Sequence, residues 1–152
     1  MRIHVNSGRW RGPATLVETA VRAALESAGD PEAEISVTLV GDDRMRGLNR
    51  TYLSEDRTTD VLSFSLGEEG QVLGDVYVSV PQARRQARES GVDVEEELVR
   101  LAVHGTLHVL GHDHPEGPER WQSPMFRRQE AIVHAVLSIG PPLPGPNARG
   151  RP

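Results

Sequence analysis

The sequence predicts an α+β domain in which a single mixed β-sheet is packed with helices. Three observations carry that prediction. Apolar residues recur at helical spacing in several long segments, short runs rich in β-branched residues fall between them, and the two kinds of segment interleave along 152 residues, the length of one domain.

Taken in order, residues 2–5, RIHV, read as a short strand. PATLVETAVRAALESAG then reads as a helix with Pro13 in its first turn: Leu16, Val17, Ala20, Val21, Ala24 and Leu25 recur every three or four positions, and Gly29 stands where a C-terminal cap belongs. EISVTLV, 34–40, is a strand, and Asp42 or Asp43 is placed to cap a short helix running to about Tyr52. LSEDRTTD is turn chemistry, and VLSFSL and VLGDVYVSV are strands on either side of a GEEG turn. Pro81 opens a helix that ends near Gly91. Asp93 and Glu96 form a capping pair ahead of VEEELVRLAVHGTLHVL, the strongest helical pattern in the chain, which Gly111 stops. A last helix is expected over 118–137. The domain is therefore assigned to 1–139, and the Pro/Gly-rich segment 140–152 is expected to be disordered, because it cannot bury enough apolar surface to offset the entropy of ordering.

Composition narrows the chemistry. The chain has no cysteine, which excludes disulfides, thiolate metal ligands and a cysteine nucleophile. The N-terminal MRIHVNSGRWRG lacks the apolar core of a signal peptide, and no run of about 18 apolar residues occurs, so a soluble cytoplasmic protein is expected. A net charge of −5 argues against nucleic-acid binding over the whole surface. All 17 basic residues are arginines, and they bunch at Arg44, Arg46, Arg50 and Arg57, at Arg84, Arg85 and Arg88, and at Arg127 and Arg128. Two readings stay open for these bunches, solvated helix faces or guanidinium forks turned to a phosphate-bearing substrate.

HGTLHVLGHDH, residues 104–114, holds four of the six histidines. On a helix His104 and His108 share a face, so one ion can reach both imidazoles. Gly111 can adopt the left-handed conformation that turns the chain back and returns His114 to them. Three nitrogen ligands leave a fourth tetrahedral position for water, the arrangement of a catalytic zinc site, so one zinc-type ion per chain is expected on His104, His108 and His114. His112 is expected beside the site or in solvent, and His4 and His134 receive no role. The same spacing occurs in the zinc proteases H-E-x-x-H-x-x-G-x-x-H, but their general-base glutamate is replaced here by Gly105, which cannot take a proton.

HGTLHVLGHDH resembles the H-G-x-L-H-L-x-G-[YH]-D-H signature of the YbeY family, bacterial single-strand-specific endoribonucleases that act in ribosomal RNA maturation. The likeness extends to LNRTYLSEDRTTDVLSF at 48–64 and LGDVYVS at 73–79. It implies a zincin-like fold, Zn2+ on the three histidines, single-stranded ribosomal RNA as substrate, and association with the small ribosomal subunit and its assembly factors. Family members carry N-x-x-Y-R ahead of D-x-x-T-D-V-L-S-F, and here the arginine position is Leu53. Arg57 or Arg50 is then the nearest replacement, and Asp113 or Glu116 is close enough in sequence to the third histidine to handle protons, although turn and capping duty explains both equally well. Arg57 and Asp113 are the catalytic residues put forward beside the histidines. Two other readings remain, a zinc metalloprotease-like hydrolase and a ribosome-assembly factor with vestigial catalysis.

Overall fold

A computed structural model describes residues 1–10, 14–54 and 59–139. Arg57, Pro13 and the segment from 140 onward lie outside the described residues. The elements in chain order are β1 (Arg2–Asn6), α1 (Ala14–Glu26), β2 (Glu34–Val40), α2 (Asp42–Leu53), β3 (Val61–Ser65), β4 (Leu73–Ser79), α3 (Val80–Ser90), α4 (Val94–Val109), a 3-10 helix (Pro118–Gln122) and α5 (Pro124–Ile139).

The four strands form one mixed sheet in the order β1-β2-β4-β3. β1 and β4 run parallel to β2, whereas β3 pairs antiparallel with β4 and occupies an edge, with Val61 opposite Val78 and Phe64 opposite Asp75. The hairpin between β3 and β4 explains the single antiparallel pair: its short connection cannot make the crossover that parallel strands need.

α4 is the centre of the molecule. Leu98, Leu101, Ala102 and Val109 join Val17 and Val21 of α1 and the β2 and β4 side chains Ile35, Val37, Val76 and Val78 in one cluster. Val99, Val103 and Leu107 join Ala20 and Ala24 of α1 and Met125, Val133 and Val136 of α5 in another. Each fully buried Val or Leu stabilises the fold by about 1.5–3 kcal/mol. Between residues 98 and 109, Arg100, His104 and His108 alone are not fully buried. Their four-residue spacing makes one stripe, and that stripe is the face of α4 left open.

Two glycines set how closely α4 lies on the sheet. A Cβ on Gly105 would stand 2.5 Å from Val76 Cγ1 and 3.0 Å from Ser63 Oγ, and one on Gly74 would stand 2.6 Å from Val109 Cγ1. Ser63 Oγ donates to the Gly105 carbonyl at 3.0 Å, pinning the helix to β3 in the middle of its length.

Several helix starts differ from the sequence reading. α2 has Gly41 at its N-cap; Asp42 and Asp43 lie in the first turn, and Asp42 instead accepts from Arg85 at 3.0 and 3.3 Å. Asp93 is the N-cap residue of α4 but makes no side-chain capping bond, and Glu96 turns to Arg100 at 3.0 Å. α3 starts one residue before Pro81, with Ser79 Oγ accepting from the Gln82 amide. The helix expected over 118–137 is two elements. Pro124 disfavours helical backbone at Ser123, which is extended (φ −72°, ψ 155°), and Ser123 Oγ accepts from the Phe126 amide and so caps α5.

Candidate metal centre

α4 ends where the sequence says it should. Gly111 has φ 97°, a conformation that favours glycine, and the His112 amide returns to the Leu107 carbonyl at 3.0 Å. The chain doubles back and sets the His114 ring 5.2 Å from His104 and 5.3 Å from His108, centroid to centroid. The three histidines offer ligand nitrogens that all lie within 4.8 Å of one another.

Each ring is oriented by an oxygen on its far side. His104 Nδ1 meets Gln129 Oε1 at 2.6 Å, His108 Nδ1 meets the His112 carbonyl at 3.1 Å, and His114 Nδ1 meets the Pro115 carbonyl at 2.9 Å. A carbonyl oxygen only accepts, so each Nδ1 carries the proton and each Nε2 keeps a lone pair. Gln129 cannot reverse its amide without loss, because its Nε2 donates to Glu130 Oε2 at 3.0 Å. Glu130 in turn is held at 2.9 and 3.0 Å by the Arg100 fork, which also meets Glu96 and Glu97. A hydrogen-bonded chain thus runs from Arg100 through Glu130 and Gln129 to His104.

The donor set fits a divalent transition ion. His104 Nε2 and His108 Nε2 stand 3.1 Å apart, close to the roughly 3.3 Å between neighbouring nitrogens when each is ~2.0–2.1 Å from a tetrahedral zinc ion. Two unprotonated nitrogens at that distance repel unless a cation lies between them. Burial holds His104 below the ordinary histidine pKa in spite of the Gln129 bond, and burial followed by the neighbouring His104 and His114 does the same at His108. Both therefore stay neutral and able to coordinate at neutral pH.

The histidines open onto a cavity of about 1010 Å³. Its walls come from β3 (Val61, Ser63 and Phe64), from Trp121 and Phe126, and from the open stripe of α4. The strand that borders the cavity is β3, at the edge of the sheet, whereas β4 is flanked by β2 and β3.

Of the other residues singled out in the sequence, Leu53 lies on the cavity rim, at the end of α2. Arg50 is exposed and does not line the cavity. Asp113 is exposed and its carboxylate accepts from the His114 amide at 2.8 Å, a turn contact. Glu116 is exposed outside the cavity. On α3, Arg85 is paired with Asp42 and Arg84 lies over the Trp10 ring. Sequence reasoning missed Gln129, Glu130, Arg100, Asp60 and Arg120. Asp60 lines the cavity and its charge bears on His104, as does that of Arg120. Arg100 lies one turn before His104 and Asp60 stands within the TTDVLSF segment, whereas Gln129 and Glu130 come from α5.

A family model described as Endoribonuclease YbeY matches residues 8–137. Curated relatives named Endoribonuclease YbeY include one from Desulfitobacterium hafniense (strain Y51), 45% identical over 139 residues that cover 83% of this chain and 87% of the relative. One from Aquifex aeolicus (strain VF5) is 45% identical over 125 residues, covering 80% and 82%. Among solved structures, a Thermotoga maritima protein determined in solution superposes with a TM-score of 0.65 at 33% identity, covering 90% of this chain and 89% of that one.

Proposed function

The chain belongs to the YbeY endoribonuclease family, and from that premise we propose that it is a metal-dependent, single-strand-specific endoribonuclease that acts in maturation and quality control of small-subunit ribosomal RNA, with one Zn2+ per chain on His104, His108 and His114. The observation that carries the reading is the convergence of three Nε2 lone pairs at an open cavity, each fixed by an oxygen on its Nδ1. Bound there, such an ion supplies Lewis acidity toward a phosphoryl oxygen and lowers the pKa of water.

The chain's own residues do the rest. Gln129, the His112 carbonyl and the Pro115 carbonyl hold the rings in the coordinating tautomer. Asp113 Oδ1 secures the turn that presents His114, and the residue does not line the cavity. Asp60 lines the cavity and is the acidic group better placed to take a proton near His104. Arg57, outside the described residues, is put forward for transition-state charge, the duty that Leu53 cannot perform. The small ribosomal subunit and its assembly factors are the partners this reading implies, in the cytoplasm; no helix among the described residues is long and apolar enough to cross a membrane.

The protease reading loses its footing on geometry. Position 105 faces Val76 and Ser63, where even a Cβ does not fit, so a glutamate there could not serve the histidines. The test is cleavage by zinc-loaded protein of an unstructured oligoribonucleotide, a duplex RNA and casein. Cuts in the unstructured RNA that His108→Ala abolishes support the proposal. Casein cuts with intact RNA would overturn it, and cleavage of neither with retained binding to small subunits would favour an assembly factor.

A further inference from the structure

We propose that Arg120 and Trp121 form a nucleotide subsite beside the histidines, in which Trp121 stacks an unpaired base of the RNA and Arg120 contacts its phosphate. The inference rests on the endoribonuclease reading above and adds to it the element that selects unpaired strands.

Four large apolar side chains are exposed among the described residues, and Trp121, at 54%, is the largest of them. It does not stand at random on the surface. It lines the same cavity as His104, His108 and His114, on the 3-10 helix that joins the His114 turn to α5. Phe126 holds its ring edge-on at 5.2 Å, so the indole is fixed in direction while more than half of its surface faces solvent. Leu53 and Phe64 add apolar surface to the same cavity lining, with Tyr52 packed on Phe64 at 5.1 Å.

The charges decide where a phosphate can go. Two arginines line the cavity among the described residues. Arg100 is enclosed by Glu96, Glu97 and Glu130. Beyond it the cavity wall carries Glu89 as well, so that end repels a polyanion. Arg120 is exposed and makes no ion pair among the described residues; its guanidinium lies 4.5 Å over the Trp121 ring. A stacked guanidinium uses its π-face on the indole and keeps its N–H groups, which lie in its plane, for a phosphate oxygen. Arg120 and Trp121 line the same cavity as His104, His108 and His114, so a phosphate held by Arg120 enters the cavity that the histidines face. A base inside a duplex has both faces covered by its neighbours and cannot offer one to Trp121, so the subsite accepts single strands and refuses double ones.

The test is steady-state cleavage of an unstructured oligoribonucleotide by zinc-loaded protein, with metal content and melting temperature recorded for every variant. Trp121→Ala should lower kcat/KM on the order of ten- to a hundredfold, mainly through KM, and Trp121→Phe should restore most of it, since any aromatic face stacks. Arg120→Ala should raise KM and flatten the dependence of log KM on log salt by roughly one phosphate contact. A series of oligonucleotides with a single abasic position then locates the base: the Trp121→Ala penalty should disappear at one position only. Wild type that cuts RNA while Trp121→Ala cuts it equally well overturns the subsite alone, as does a penalty that persists at every abasic position. Wild type that neither binds nor cuts the oligonucleotide overturns the endoribonuclease reading, and the subsite with it.

Discussion

Replacing Gln129 with leucine should separate metal affinity from fold. Gln129 Oε1 is the partner of His104 Nδ1 at 2.6 Å, and the side chain is 4% exposed, so solvent has little access to replace it. Leucine has similar bulk and no acceptor. His104 can then leave its Nδ1–H unsatisfied, or move the proton to Nε2 and cease to coordinate; either way the coordinating form becomes less favourable. Loss of such an outer partner typically weakens metal binding 10- to 100-fold, which is about 1.4–2.8 kcal/mol at 1.4 kcal/mol per tenfold. Glu130 keeps its two Arg100 bonds in the variant, so the tie between α4 and α5 survives. Competition for Zn2+ with a chromophoric chelator gives the dissociation constant, and urea unfolding of the metal-free protein gives the stability. Gln129→Glu is the counterpart: the acceptor remains and the metal should stay bound, but a second carboxylate now faces Glu130 in place of an amide that donates at 3.0 Å, and the fold should lose stability at neutral pH. An unchanged dissociation constant in Gln129→Leu, or equal loss of metal in both variants, would refute the reasoning.

Gly105→Ala should destabilise the protein by about 1–3 kcal/mol through overpacking, because its Cβ meets Val76 Cγ1 at 2.5 Å; a melting curve indistinguishable from wild type would contradict the close approach of α4. His114→Ala should abolish stable metal retention whereas His112→Ala should keep it, because His112 contributes its carbonyl to His108 and not its ring; metal analysis after gel filtration decides. Acid sensitivity should trace in part to Glu130. Burial alone would raise its pKa, yet the bonds from Arg100 and Gln129 bring it below the ordinary carboxylate value. A depressed carboxylate contributes stability that is present above the unfolded-state value of 4.5 and is lost as pH falls through the folded one. Urea midpoints measured from pH 7 to pH 3 should therefore fall more steeply below pH 4.5 in wild type than in Glu130→Gln, and parallel curves would remove Glu130 from the account.

The parts of the site that sequence makes legible are those whose geometry is local. His104 and His108 are one helical turn apart, and Gly111 supplies a positive φ, so their convergence with His114 follows from three short-range rules. Gln129 had no such signal, being 25 residues from its histidine and recruited by the packing of α5 on α4. Gly105 marks the absence of a protease base in the sequence, and the structure adds its physical cause, the Val76 and Ser63 side chains packed against it. The strands were placed closely, but which one borders the cavity depends on sheet order, and period-2 patterning carries no information about order. Ser123 followed by Pro124 did hold a readable stop inside the supposed last helix, and the apolar periodicity on both sides obscured it.

The division of the ligands between two kinds of backbone has a consequence for how an ion comes and goes. Two donors are built into α4, whose remaining sides are sealed into both major clusters, while the third rides on the turn beyond Gly111. In chelation terms, the ligand set proposed above would join a preorganised bidentate grip to a third arm that closes the ring. Withdrawing His114 would reopen that ring from the turn beyond Gly111, outside the buried clusters that hold α4. Under the ligand assignment proposed above, ion exchange should therefore be local to the end of α4 and should not require the core to open.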